Sequence, residues 1–220
     1  MDAKNKEAEN KNSKEELSFL EHLEELRWRV IYSIIGIVVG AIFCAIFIEF
    51  IIEGILLKPA TENQVILQNL KPFGQIFLYF EVAIMCGIII SIPNIFYQIW
   101  KFIAPALRQK ERKYIFAIVL FSSLCFITGI LFAYFLMLPL VLNFAAAFGT
   151  DAIKNEFAID EYMSIVLSVM LGAALIFEMP MVSFFLSKLG ILTPQMMRKY
   201  RRHSLIGILL LSALLSPGTD

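Results

Sequence analysis

The run Tyr114–Leu138 reads YIFAIVLFSSLCFITGILFAYFLML and contains no charged residue. As a helix rising about 1.5 Å per residue, a run of this length exceeds the roughly 30 Å hydrocarbon core of a bilayer. It therefore predicts a helix that crosses a membrane.

The composition of the whole chain agrees with this reading. The 220 residues are 59% hydrophobic and 17% charged, with a mean hydropathy of +0.74, whereas soluble domains are about 45–50% apolar and about 25% charged. Apolar runs predict five spans, at about residues 30–48, 73–100, 114–138, 162–187 and 204–216. The last of them is the weakest prediction, since as a helix it would extend only about 20 Å.

We therefore predict an all-α, polytopic membrane helical bundle, in which residues 18–220 form a single membrane domain. Residues 1–17 alternate Lys, Glu and Asn without an apolar stretch, so we expect a disordered polar cytoplasmic tail. Proline lies within or at the end of three spans, at Pro93, Pro139 and Pro180. Each removes a backbone donor, so the bundle should be curved or concave, and Pro139 should end the third span.

The basic residues predict the orientation of the spans. Of the 19 Lys and Arg, sixteen lie before span one, between spans two and three, or between spans four and five. Because cytoplasmic loops are enriched in Lys and Arg, the amino terminus should be cytoplasmic.

Small residues recur every four positions in two spans, at Gly36 and Gly40 in the first and at Ser164, Ser168 and Gly172 in the fourth. Such ladders let helix backbones approach closely. The contact could be with a partner helix or within the chain's own bundle, and the spacing alone does not decide between them.

The segment before the first span, Phe19–Val30, reads FLEHLEELRWRV and carries three glutamates where a cytoplasmic flank should be basic. As a helix it places Glu25 and Arg29 four residues apart, in the order that favours an ion pair. Glu111 is the single acid among five basic residues of the loop between spans two and three. Both features indicate a cationic partner at the membrane surface, while local helix support and an ordinary surface charge mixture stay open as alternatives.

Glu178 lies inside the fourth span, in the tetrapeptide FEMP. An ionisable side chain within a membrane is costly and usually faces a cavity or a partner. One interpretation is the intramembrane site of a proton-coupled secondary transporter. Such transporters contain internal repeats, whereas we find no such repeat in this chain, and spans one and four share no motif beyond small residues.

Sequence patterns typical of catalysis are missing from the chain. It has no glycine-rich phosphate loop, no HExxH and no paired CxxC motifs. We therefore expect no enzymatic activity, no metal site and no nucleic-acid partner.

Four motifs occur in order along the chain: HLEELR at His22–Arg27, FIAPAL at Phe102–Leu107 with Glu111 just after it, AYF then PL within Ala133–Leu140, and FEMP at Phe177–Pro180. Together they resemble the TatC family of the twin-arginine protein translocase, from about residue 18 to the end. Each motif alone is weak, but four in this order across spans of the right polarity are specific.

The resemblance implies a receptor of the bacterial cytoplasmic (inner) membrane. Such a receptor recognises export signal peptides with consecutive arginines and starts the transport of folded proteins, using the proton-motive force. It implies small single-span partner proteins of the TatA and TatB type and no cofactor. A homo-oligomer and lipid contacts are further expectations.

The resemblance also assigns roles to residues on the cytoplasmic side. Glu25 and Glu111 would bind the arginine pair, with Arg27 orienting them. Phe102 and Pro105 would shape the loop that carries Glu111. Bidentate bonds to carboxylates would supply both strength and discrimination from lysine.

Three further residues match family positions. Glu178 would be the polar group of the concave membrane face, which admits the apolar part of the signal peptide or a partner helix. Pro59 resembles the family's external proline, and Asp220 its acid before span six. Because the family usually has six spans, we expect this chain to lack the sixth.

Overall fold

The structure is a computed structural model that describes residues 2–63, 65–106, 112–147, 156–188, 190 and 192–215. Two π-helical turns, Ile52–Leu56 and Ala133–Met137, and a 3-10 turn, Ala104–Ala106, interrupt its helices. In chain order the other elements are α1 (Asp2–Ile46), α2 (Ile48–Ile51), α3 (Lys58–Glu62), β1 (Ile66–Gln68), α4 (Gly74–Ile103), α5 (Ile115–Phe132), α6 (Leu138–Ala147), β2 (Glu156–Ala158), α7 (Ile159–Lys188), α8 (Pro194–Lys199) and α9 (Arg201–Leu215).

Among the described residues, four helical segments are long and apolar enough to cross a membrane: Glu21–Ile46, Gly74–Ile103, Ile115–Ala145 and Ile159–Lys188. They coincide with the first four predicted spans and confirm an all-α, polytopic fold. The fifth predicted span lies in α9, which has 15 residues. At about 1.5 Å per residue these reach roughly 22 Å, less than the hydrocarbon core of a bilayer.

The first helix extends into the segment predicted as a polar tail. Helix α1 begins at Asp2 and includes residues 2–17. Alanine, lysine and glutamate are good helix formers, and this part of the chain is continuous with the apolar helix that follows it.

The prediction that Pro139 ends the third span is wrong, because the helix continues through α6 to Ala147. The π-helical turn Ala133–Met137 ends two residues before the proline, and the N–H of Leu138 donates to the carbonyl of Ala133. This wider spacing accommodates a residue that has no N–H and whose ring crowds the preceding turn. The proline is therefore absorbed by a local change of helix type.

The long helices pack in sequence order. Helix α1 lies along α4, α5 lies along α7, and α4 contacts both α5 and α7. Their shared core contains the buried side chains of Leu78, Val82, Phe126, Met163 and Val166. Large apolar side chains cover the outward faces, as a lipid environment requires.

Helices α1 and α4 approach closely at Gly40 and Gly87. A Cβ atom added to Gly87 would lie 2.6 Å from the backbone nitrogen of Ala41, and one added to Gly40 would lie 2.9 Å from the carbonyl oxygen of Gly87. The small residues of the first span therefore pack within the chain's own bundle. In the fourth span, Gly172 has no described atom within 4 Å of such a Cβ.

The segment after α1 is tied to the rest of the bundle by two tyrosines. The hydroxyl of Tyr134 donates to the carbonyl oxygen of Ile55, and that of Tyr162 donates to the carbonyl oxygen of Leu56, both at 2.8 Å. Both acceptors belong to the π-helical turn Ile52–Leu56, so side chains from distant helices supply hydrogen bonds to its carbonyls.

At the same end of the bundle, β1 and β2 pair in parallel. Beside them, Gln68 donates to the carboxylate of Glu156, and Lys71 forms an ion pair with Asp160. The hydrogen bond to Asp160 raises the pKa of the Lys71 amine above its usual range. This pairing, which joins the connection between spans one and two to the connection between spans three and four, was not predicted from the sequence.

Candidate functional site

Glu25 and Arg29 form a close ion pair on α1, as their spacing predicts. Arg29 Nη2 lies 2.6 Å from Glu25 Oε1. The Glu25 side chain is 35% exposed and that of Arg29 only 15%, so the carboxylate is partly open to solvent while the guanidinium is mostly covered. His22 Nδ1 lies 3.8 Å from the other carboxylate oxygen, Glu25 Oε2.

A ladder of polar side chains on α4 faces this pair. Arg29 Nη1 donates to Gln98 Oε1 at 3.4 Å, and Gln98 Nε2 donates to Asn94 Oδ1 at 3.5 Å. Asn94 Nδ2 donates to the carbonyl of Tyr32 at 3.2 Å, and Ser91 Oγ donates to another α1 carbonyl at 2.7 Å. This ladder was not predicted from the sequence. Polar residues at helical spacing within an apolar span were the signal that could have revealed it.

The end of α4 contacts the start of α1 through aromatic rings. Phe102 stacks on His22 with ring centroids 4.3 Å apart and an angle of 15° between the planes. Pro105, in the following turn, is exposed, and its carbonyl accepts a hydrogen bond from Arg112 Nη2 at 3.2 Å. This bond joins the two ends of the connection that carries Glu111, and Glu111 itself lies outside the described residues.

Arg27 is exposed and, in the described part of the chain, takes part in no ion pair. The guanidinium that contacts Glu25 is that of Arg29, one helical turn after it. A groove of about 270 Å³ opens beside this contact. It is lined by Leu26, Arg29, Val30, Ser33, Ile34, Ile95, Gln98, Ile99 and Phe102.

Glu178 occupies a second cavity, between α4, α5 and α7. Its residue is only 7% exposed, and Oε1 has no hydrogen-bond partner among the described residues. Ser122 shares a hydrogen bond with this carboxyl group. The cavity has a volume of about 310 Å³ and is lined mainly by apolar side chains, Phe96, Ile99, Trp100, Ile103, Val182, Phe185 and Leu186.

Ile99 lines both cavities, so the groove beside the Glu25–Arg29 pair, which we call the Glu25 groove, and the Glu178 cavity lie next to each other along α4. The groove lies beside a partly exposed carboxylate that contacts one of its lining residues, Arg29, and the Glu178 cavity contains a buried carboxyl group whose Oε1 has no hydrogen-bond partner among the described residues. The first arrangement suits a guanidinium, and the second a polar group that enters from within the membrane.

Pro59, another of the predicted residues, does not line either cavity. Pro59 is buried in the first turn of α3, where its carbonyl accepts a hydrogen bond from Asn63 Nδ2 at 2.7 Å. Asp220 lies outside the described residues. Within the described ranges, no group of three or more His, Cys, Asp or Glu side chains could hold a metal ion.

Comparison with known proteins gives a consistent result. A family model described as Sec-independent protein translocase protein (TatC) matches residues 21–220. A TatC protein of Blattabacterium sp. subsp. Periplaneta americana is 31% identical, covering 94% of this chain and 88% of its own length. The TatC protein of Aquifex aeolicus is 35% identical, covering 90% of this chain and 83% of its own length.

The fold also matches a solved structure. A crystal structure described as a twin arginine translocase receptor, TatC, superposes with a TM-score of 0.81 at 34% sequence identity. The match covers 90% of this chain and 88% of that one.

Proposed function

Since this chain belongs to the TatC family of Sec-independent protein translocase proteins, we propose that it is the translocase component that binds twin-arginine signal peptides. Membership of the family makes the chain a membrane component of a protein translocase. The interpretation as a secondary transporter depended on Glu178. Because the family match includes this residue, Glu178 no longer supports that interpretation.

The observation that carries the proposal is the Glu25 carboxylate. It already holds one guanidinium at 2.6 Å, so its surroundings accept an arginine side chain. Hydrogen bonds between charged groups are about twice as strong as neutral ones, and a guanidinium offers a fork that an ammonium lacks. An arginine of a signal peptide would bind this carboxylate, which is partly open to solvent.

Glu111 would bind the second arginine. The ends of its connection are held together by Arg112 and Pro105, and Phe102 stacks on His22 one turn before Glu25. These contacts support a loop anchored beside the Glu25 groove, as a two-carboxylate site requires. Arg27, exposed on the same helix, would contact the loop or the peptide.

Glu178 would receive the apolar part of the signal peptide or a helix of a small single-span partner protein. The adjacent cavities support one continuous path from the Glu25 groove to this residue. We place the chain in a bacterial cytoplasmic membrane with a cytoplasmic amino terminus, working in a homo-oligomer with TatA- and TatB-type partners. The proton-motive force would drive transport, with no cofactor and no enzymatic reaction.

The test is photocrosslinking of a fluorescent signal peptide, with its arginine pair intact or changed to lysines, to the membrane-embedded protein. Glu25→Gln and Glu111→Gln should each reduce crosslinking of the twin-arginine peptide by about tenfold, the loss of one charge-assisted bond. Glu24→Gln is the matched control, since it removes an exposed acid next to Glu25. Equal losses for both peptides, or no preference in the unsubstituted protein, would refute the proposal.

A further inference from the structure

We propose that Arg29 is a resident ligand of Glu25 that an incoming arginine must displace, and that Arg29 thereby sets the preference for arginine over lysine. This inference rests on the proposed function, since it concerns the same carboxylate. It assigns Arg29 the role of a specificity-determining residue that acts through Glu25.

The first argument is that the carboxylate is already occupied. The 2.6 Å contact between Arg29 Nη2 and Glu25 Oε1 is the geometry that an external guanidinium would need. A peptide arginine therefore does not meet a free carboxylate but competes with a guanidinium of the chain itself. Binding is an exchange of one guanidinium for another.

The second argument is that Arg29 is held incompletely. Its Nε is buried without a hydrogen-bond partner among the described residues, and its bond to Gln98 Oε1 is long, at 3.4 Å. A buried donor without a partner disfavours the conformation that contains it. The guanidinium of Arg29 therefore makes one strong contact, through Nη2, while its Nε lacks a hydrogen bond among the described residues.

The third argument is that the groove offers space for the Arg29 side chain once it is released from Glu25. The groove of about 270 Å³ contains Arg29, Ser33 and Gln98 in its lining. A guanidinium released from Glu25 can turn toward the oxygens of Gln98 and Asn94 without leaving the interface between α1 and α4. Its charge stays near the site, so it continues to repel a ligand that binds Glu25 weakly.

These points predict discrimination between the two basic side chains. A peptide arginine can replace the single contact between Arg29 Nη2 and Glu25 Oε1 with a bidentate pair, whereas the compact ammonium of lysine offers no planar fork. Lysine therefore loses the competition, although its charge is the same. In the absence of Arg29, both side chains would meet an open carboxylate, and the difference between them would shrink.

The experiment measures dissociation constants of twin-arginine and twin-lysine signal peptides for the full chain in nanodiscs. In Arg29→Gln, the affinity for the twin-lysine peptide should rise about tenfold and that for the twin-arginine peptide by less, so the preference falls. Arg29→Lys should give an intermediate preference, because it keeps the charge but removes the fork. Arg202→Gln is the control for the loss of one positive charge, since Arg202 is exposed on α9.

A second readout does not depend on the peptide. Labelling of Glu25 by a carbodiimide and an amine, followed by mass spectrometry, should be several times faster in Arg29→Gln than in the unsubstituted protein. The melting temperature of each variant shows whether it is folded. If Arg29→Gln is unfolded, Arg29→Lys is compared with the unsubstituted protein instead.

The outcomes separate the two proposals. If the unsubstituted protein does not prefer the twin-arginine peptide, the proposed function fails, whatever Arg29 does. If it does prefer that peptide, the Arg29 inference is wrong when a folded Arg29 variant keeps the full preference, loses affinity for both peptides in parallel, or labels Glu25 at the original rate.

Discussion

The environment of Glu178 disfavours its polar side chain. Its carboxyl group is buried among apolar side chains, and Oε1 lacks a partner among the described residues. A buried polar group without a hydrogen bond lowers stability, whereas an apolar residue of similar shape need not. Stability and transport should therefore respond in opposite directions to its replacement.

We expect Glu178→Leu to raise the free energy of unfolding by about 1–3 kcal/mol, or leave it unchanged, while transport is lost. Thermal unfolding in detergent measures the first quantity and export of a folded reporter protein the second. Glu81→Leu is the matched control, because Glu81 lies in a span but is exposed. A variant that is much less stable than the original would show that Glu178 is a structural residue.

Among the helices, the close packing of α1 against α4 depends on glycine. At Gly87, a methyl group would fall 2.6 Å from the backbone of α1, and neither helix can yield by rotating a side chain. The polar ladder of α4 and the Glu25–Arg29 pair lie further along the same interface. A change in this crossing should therefore reach the functional groove.

Gly87→Ala should lower the free energy of unfolding by about 1–3 kcal/mol, because added volume at a packed contact forces the backbones apart. It should also weaken binding of the signal peptide. Gly172→Ala, which adds the same methyl group where no described atom lies within 4 Å, should have little effect on either. Thermal unfolding of both variants side by side is the measurement, and equal stability would contradict the close-contact argument.

The sequence predicts best those features that depend on residues close together in the chain. Apolar length alone located four spans, and helical spacing paired Glu25 with Arg29. The π-helical turn Ile52–Leu56 and the pairing of β1 with β2 were missed, because each needs a partner that only the folded chain supplies. The continuation past Pro139 was missed because it depends on a local change of helix type that the sequence pattern does not show. The stacking of Phe102 on His22 is of the same kind, since it joins residues from different helices.

For the whole molecule, the pairing of β1 with β2 closes one end of the bundle. In the register of these strands, Leu67 lies opposite Phe157. The pair joins the segment before α4 to the segment before α7, and the Lys71–Asp160 ion pair reinforces it. All four spans are therefore linked at this end by contacts outside the membrane core.

This register predicts a disulfide between Leu67→Cys and Phe157→Cys in a background without the native cysteines. Neighbouring strands lie about 4.8 Å apart, within the Cα separation that a disulfide tolerates. The combination of Gln68→Cys with Phe157→Cys should not form one, because successive side chains point to opposite faces of a strand. A mobility shift on non-reducing gels, confirmed by mass spectrometry, distinguishes the two, and equal crosslinking would rule out this register.

The same pairing has a consequence for biogenesis. Gln68 and Glu156 are separated by 88 positions, so β1 leaves the ribosome roughly 4 to 18 s before its partner strand, at 5–20 residues per second. During that interval the first two spans must persist in the bilayer with strand β1 unpaired. The close α1–α4 crossing is a contact that can already form at this stage. The strand pairing would then be a late step of membrane assembly, because β2 follows the third span in the chain.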